Sequence, residues 1–181
     1  NTNQATKITD AAGAGFDVAG VALLVTGGSP AGIVVASAAI TTSGTIAYGM
    51  ATDSTIVMDI SATYPTSLVG GQKHGVSLVM DFSGNEVDAN LYLHSGFYFG
   101  NPSLSAGYSV GIVQNYNSPA DYSGPFVDIS GGYMVGADYC FDPRWWQGKP
   151  ATGATSLTFG FDSSPSASIG FDWYFDPIEI Y

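Results

Sequence analysis

Positive charge is almost missing from this chain. Lys7, Lys73, Arg144 and Lys149 are the only bases, against fifteen acids, for a formal net charge of −11. Without a basic stripe to neutralise phosphates, a nucleic-acid partner is excluded, as is an electrostatic hold on anionic lipid heads. Charged residues of both signs amount to only 10% of the chain, well below the roughly 25% usual for soluble domains. With 45% hydrophobic residues, it is not a disordered acidic tail either.

Cysteine is nearly absent too. Cys140 stands alone, which rules out an intrachain disulfide framework and a cysteine-based zinc cluster. Glu86 and Glu179 are the only glutamates and flank different turns, so a Glu pair for glycosidic chemistry is not expected. No Walker loop, H-E-x-x-H or EF-hand spacing occurs. "GAGFDVAG" at Gly13–Gly20 follows no strand and does not read as a dinucleotide loop. No cofactor and no metal are expected. The opening "NTNQATKITD" lacks the basic-then-apolar order of a signal peptide, as a processed product or a C-terminal piece also would.

What is present divides into two unlike parts, 1–50 and 51–181. Between Val18 and Met50 there is no charged residue, and "TGGSP" at Thr26–Pro30 cuts this run into two pieces of ~8–12 residues, each too short to span a bilayer as a helix. A helical hairpin packed on the rest of the domain is expected, or a helix followed by a strand. The alternative is a hairpin that inserts into a membrane or a neighbouring subunit through Val21, Leu23, Leu24, Ile33, Val34 and Val35.

From Ser54 onward the apolar period is two, which marks strands. "STIVMDISA", "GVSLVMDF", "VDANLYLHSGFYFG", "LSAGYSVGIVQNY", "FVDISGGYMVGADYCF", "TSLTFGFD" and "SASIGFDWYF" read as about seven. The last two are expected to pair as a hairpin around "SSPS". One face of these strands carries large apolar residues and the other Gly, Ser, Asp and Asn. A solvated open sheet would carry Lys, Glu and Arg there. The small face instead suits the tight curves of a closed or nearly closed small barrel, or a sheet packed closely against the N-terminal apolar hairpin. The expected fold is therefore mainly β, an antiparallel meander forming a small barrel or strongly coiled sheet, with an N-terminal apolar helical segment.

The run "MDFSGNEVDANLYLHSGFYFGNPSLSAGYSVG", then "NSPADYSGP" and "GGYMVGADYCFDP", resembles the glycine-rich β C-terminal regions of bacterial exported RHS/YD-repeat polymorphic toxins. The shared elements are a D-x-x-G-N turn, a G-x-P-x-x-S turn and a D-x-x-G-P loop, between about Ser77 and Phe175. The resemblance implies an exported β-rich domain with a carrier or immunity protein as partner, and it assigns no catalytic residue. "SIGFDWYF" (Ser168–Phe175) is similar to the closing signal of outer-membrane barrels, although "DPIEIY" follows it here.

Candidate chemistry is sparse. His94 shares a strand face with Asp88, Asn90 and Tyr92, and Asp81 lies on the preceding strand, so His94, Asp81 and Asp88 are the candidates for acid–base work. The ordinary alternative is a hydrogen-bonded strand histidine. Asp138, Asp142, Asp162, Asp172 and Asp176 crowd the last three strands, where they could form a calcium site at one rim, but without EF-hand spacing they read as solvated turn carboxylates. "DPRWWQGKP" sets Arg144 beside Trp145 and Trp146, a contact patch for a sugar, a lipid interface or a protein. The leading functional expectation is an exported bacterial, non-enzymatic domain acting at a membrane, such as a toxin or effector. A self-assembling structural subunit packed on identical copies and a small outer-membrane barrel are the alternatives.

Overall fold

In the computed structural model, an apolar helix lies against the outside of a closed barrel. The structure describes residues 26–180 except 102, 149, 150, 163 and 164, together with Thr6, Lys7, Thr9, Asp10, Gly13, Asp17, Ala19, Gly20 and Leu24. Each described residue from Thr6 to Thr26 has helical backbone, as has the chain from Pro30 beyond the Gly27–Gly28 turn. The packing of an N-terminal hairpin falls on residues outside the described set.

Helix α1 spans Pro30–Thr52. Ser29 caps its start by accepting from the Gly32 N–H at 3.3 Å, and Pro30 fits the first turn, where no N–H is needed. At the other end Asp53 turns left-handed with φ 53° and its N–H returns to the Gly49 carbonyl. The helix thus ends two residues beyond the 1–50 segment read from sequence. The Thr42, Thr45 and Thr52 hydroxyls donate back to the carbonyls four residues earlier, which removes polar groups from an apolar surface.

Strands β1 (Thr55–Ser67), β2 (Gly70–Asp81), β3 (Asp88–Gly100), β4 (Ser105–Gln114), β5 (Gly124–Tyr133), β6 (Val135–Phe141), β7 (Gly153–Asp162) and β8 (Ser166–Tyr174) are all paired antiparallel. Pairing of β2 with β3 closes the sheet into an eight-stranded barrel, and a two-residue β9 (Ile178–Glu179) adds to the start of β3. The barrel and its N-terminal helix are as expected, but the path is not a plain meander. Around the barrel the order is β4-β1-β2-β3-β8-β5-β6-β7. That is two successive Greek keys, each with its fourth strand lying beside its first.

Two strand readings are corrected. "FVDISGGYMVGADYCF" is two strands, because the chain reverses at Met134, which takes φ 62°. Tyr133 pairs with Val135, so one residue forms the tip and the alternation runs on unbroken in the sequence. The expected β7–β8 hairpin does not form. β7 pairs with β4 and β6, while β8 pairs with β3 and β5, so the β5–β6 hairpin stands between them.

One end of the lumen is packed shut. Val57, Val79, Tyr92, Val113, Tyr122, Phe126, Cys140, Ala154 and Tyr174 form one buried cluster. Tyr122 enters from the 3-10 turn Pro119–Tyr122 in the β4–β5 connection and sits 5.0–5.3 Å from the rings of Tyr92, Phe126 and Tyr174. The Tyr92 hydroxyl donates to the Pro119 carbonyl at 2.8 Å and pins that turn. A second cluster lies outside the barrel, where Val34 of α1 packs on Val110 and Phe159. Truncating Tyr122→Ala is expected to cost about 3–5 kcal/mol in equilibrium unfolding, the usual range for a large core aromatic. A loss below ~1 kcal/mol would contradict the plug.

Candidate functional site: paired charges inside an uncharged wall

Strand alternation sends one face of every strand into the lumen, and the charges go with it. The Lys73 ammonium on β2 lies 2.6 Å from Asp128 on β5 and 3.1 Å from Asp172 on β8. His94 on β3 places Nε2 2.7 Å from Asp59 on β1 and Nδ1 3.6 Å from Asp172, while its ring stacks on Tyr174 at 4.7 Å. The Ser77 hydroxyl donates to Asp59 at 2.7 Å. Asp138 on β6 joins them with one buried oxygen that has no hydrogen-bond partner. A cavity of about 110 Å³ beside these groups is lined largely by Ser, Thr and Gly.

Register explains why such long reaches are possible. Lys73 is opposite Gly96, and Gly96 is opposite Asp172, so the lysine crosses to the aspartate over a residue with no side chain. A Cβ at Gly96 would collide with the Phe171 carbonyl and an Asp172 carboxylate oxygen. Gly75 plays the same part for His94, since a Cβ there would meet Nε2 of that ring. The small face noted in the sequence is thus the inner face, and its glycines leave room for charged side chains from neighbouring strands.

The outer wall is the reverse. Among the described residues, no Asp, Glu, Lys or Arg faces outward from any of the eight strands. Ile60, Val76, Leu93, Phe97, Phe99, Ile129, Tyr133, Val135, Tyr139, Leu157, Phe161, Ile169, Phe171 and Trp173 all stand exposed around it. Polar residues on it include Gln72 and His74, which both bond the Tyr64 hydroxyl, and Gln114, which donates to Thr155. On β3 and β8 alone, Phe97, Phe99, Phe171 and Trp173 are each 53–60% exposed. Four such rings, burying roughly 150–250 Å² each when covered, leave on the order of 300–500 Å² of apolar surface in one cluster. A soluble monomer's largest patch is about that size, and here it is a fraction of the circumference. Helix α1 covers β4, β7 and part of β1 but exposes Ile33, Val35, Ile40 and Tyr48 in turn.

The two ends of the barrel differ as strongly. Asp53, Asp81, Glu86, Asp88, Asp121, Asp142, Arg144, Asp176 and Glu179 all lie where β1, β3, β5 and β7 begin. At the opposite end the connections carry no charged residue, and Asp162 at the close of β7 is the one nearby. There the β3–β4 connection passes over the lumen, its Ser103 carbonyl accepting from the Tyr98 and Thr63 hydroxyls at 3.0 and 3.5 Å.

Of the sequence candidates, His94 does face other ionisable groups, but not Asp81 or Asp88. Those two pair with each other in register at the rim. There Asp81 accepts from Thr55 and Ser83, and Asp88 from Asn90. The true partners, Asp59 and Asp172, come from strands distant in sequence, and their inward parity was the one available signal. Arg144 is held by both oxygens of Asp142 and donates to the Ser123 carbonyl at 3.0 Å. The Asp142 hydrogen bonds raise its already high pKa further. Trp145 and Trp146 belong to the turn Pro143–Gln147, and their side chains lie outside the described residues, as do Val21 and Leu23 altogether. Leu24, Ile33 and Val35 are exposed as insertion would require, but Val34 is not, being buried on the barrel. Among the described residues no group of three His, Cys, Asp or Glu side chains is placed to hold a metal. Asp138 and Asp172 are lumen groups, not turn carboxylates.

Comparison with known protein families, curated proteins and solved structures finds no match to this chain.

Chemically, four lumen carboxylates face only Lys73 and His94, and burial beside Asp128 pushes the Asp138 carboxyl well above its usual range, toward the neutral form. Lys73→Met leaves Asp128 and Asp172 without their shared cation and is expected to destabilise the fold by about 3–5 kcal/mol, the usual penalty for orphaning a buried charge. Adding Asp128→Asn is expected to restore part of that loss. Additive losses in a thermal-unfolding cycle would show that the pair is not coupled.

Proposed function

We propose that this is an exported bacterial protein that acts at a membrane without chemistry of its own, with the barrel wall and α1 facing lipid. The observation that carries the reading is the inversion of the barrel. Charges on the strands point into the lumen or sit at its rim, and the outward faces are uncharged and rich in Ile, Val, Leu and Phe. In hydrocarbon every backbone polar group must be satisfied internally, and a closed barrel does that. Polar-in, apolar-out alternation over an even number of strands is the pattern of barrels that live in lipid. α1 is long and apolar enough to cross a bilayer, and most of it is not buried on the barrel. The exposed wall runs around the circumference, whereas a dimer contact would need one side. Trp145 and Trp146 occur in a turn at the acidic end, the level where interfacial aromatics anchor.

A self-assembling subunit is the second reading, and strand order favours it. Membrane barrels are built as up-and-down hairpins, whereas this one is two Greek keys. In that case copies of the chain would cover the wall.

Flotation separates the two. The lipid reading expects the chain to rise with phosphatidylcholine vesicles and keep its strand signal in circular dichroism. A monodisperse monomer in detergent-free buffer would overturn both readings, and long polymers there would favour the second. Phe171→Arg is expected to destabilise the vesicle-bound form by about 2–4 kcal/mol, as charges on a lipid-facing barrel surface do.

A further inference from the structure

The wall alone does not say how the barrel sits in a bilayer, but the two ends do. Among the described residues the charged end holds eight acids and one base, and Lys149, outside that set, lies in the sequence between β6 and β7. The connections at this end include the β2–β3 turn with Glu86, the β4–β5 crossing with Asp121 and the Asp142–Arg144 pair. Moving this end through hydrocarbon would require carrying every one of those charges, at a cost of several kcal/mol for many of them.

The opposite end has the reverse character. The β1–β2 turn presents Leu68 and Val69 at 92% and 66% exposure, and Leu104 on the β3–β4 connection is 63% exposed. Tyr133 and Val135 flank the β5–β6 tip, each about half exposed. α1 begins at this end too, since Val34 near its start packs with Phe159 and Met134, whereas Gly49 near its finish approaches Ile56 and Phe82. The Thr26–Pro30 turn that precedes α1 carries no charge. A polypeptide end made for water does not place leucine and valine at the tips of its turns. The strap through Ser103 lies between this end and the lumen charges.

We infer that the barrel enters a zwitterionic bilayer from one side, with the uncharged end at Leu68–Val69 buried among acyl chains and the acidic end left in water. The inference rests on the lipid reading above and adds its orientation and depth. Excess acid at the water-facing end also disfavours anionic headgroups, so phosphatidylcholine is a better partner than a phosphatidylglycerol mixture.

The test uses the full chain with an environment-sensitive fluorophore at Leu68→Cys or Glu86→Cys, native Cys140 being buried. Both substituted positions are exposed, so neither change disturbs the core. In phosphatidylcholine vesicles, the label at 68 is expected to be quenched by nitroxides on the acyl chains and shielded from iodide. The label at 86 is expected to show the opposite. Leu68→Asp with Val69→Asp is expected to lower vesicle binding ~10-fold or more. Iodide quenching at 68 equal to that at 86 in vesicle-bound protein would overturn the orientation while leaving the lipid reading intact. Reaction of Leu68→Cys only with an impermeant maleimide trapped inside the vesicles would mean the barrel spans, and would also overturn it. Failure to bind vesicles at all would remove both.

Discussion

The ammonium of Lys73, shared between Asp128 and Asp172 across Gly96, is the contact on which the arrangement turns. It joins β2, β5 and β8, strands from both Greek keys, through a single cation. A buried charge without partners costs far more than a good pair returns, so this lumen is tolerable only while its members remain together. His94 extends the same logic to β1 by facing Asp59 and Asp172 at once. The glycines at 75 and 96 follow from it, because they are where another side chain must fit.

Gathering charge inside leaves the wall with none. In an ordinary soluble barrel, apolar residues fill the lumen and charged ones meet water. Here the lumen is apolar only at the Tyr92–Tyr122–Tyr174 plug, and the outer surface needs a cover that the helix provides only over β4, β7 and part of β1. The plug also bears on mechanism. With Tyr122 seated among three other rings and the Ser103 strap at the far end, the barrel is not an open conduit. An effect on membranes would arise from what the wall and α1 do to lipid, not from flow through the lumen.

Much of the barrel was legible in the sequence. Period-two alternation in "STIVMDISA" and "VDANLYLHSGFYFG" identified strands and correctly grouped Phe97 with Phe99 and His94 with Tyr92. It did not tell which face was inside, since alternation is symmetric in that respect. Composition pointed to a closed barrel, since neither face carried the lysines and glutamates that water would require, but it did not say which face lined the inside. The Met134 tip was hidden because a one-residue reversal leaves parity unbroken. The partners of His94 were hidden because closure brings β1 and β8 to β3, and local spacing holds no record of that. Pairing β7 with β8 failed for a related reason, adjacency in sequence being overridden by the Greek-key path.

The account stands or falls on what touches the outer wall, and Trp173 reports it directly, being outward on β8 and 54% exposed. With Trp145 and Trp146 replaced by Phe, it is the only tryptophan left in the chain. In bilayers whose acyl chains carry bromine, its fluorescence should be strongly quenched relative to unbrominated lipid. Emission that does not change with bromination, from protein that has bound the vesicles, would contradict a lipid-facing wall.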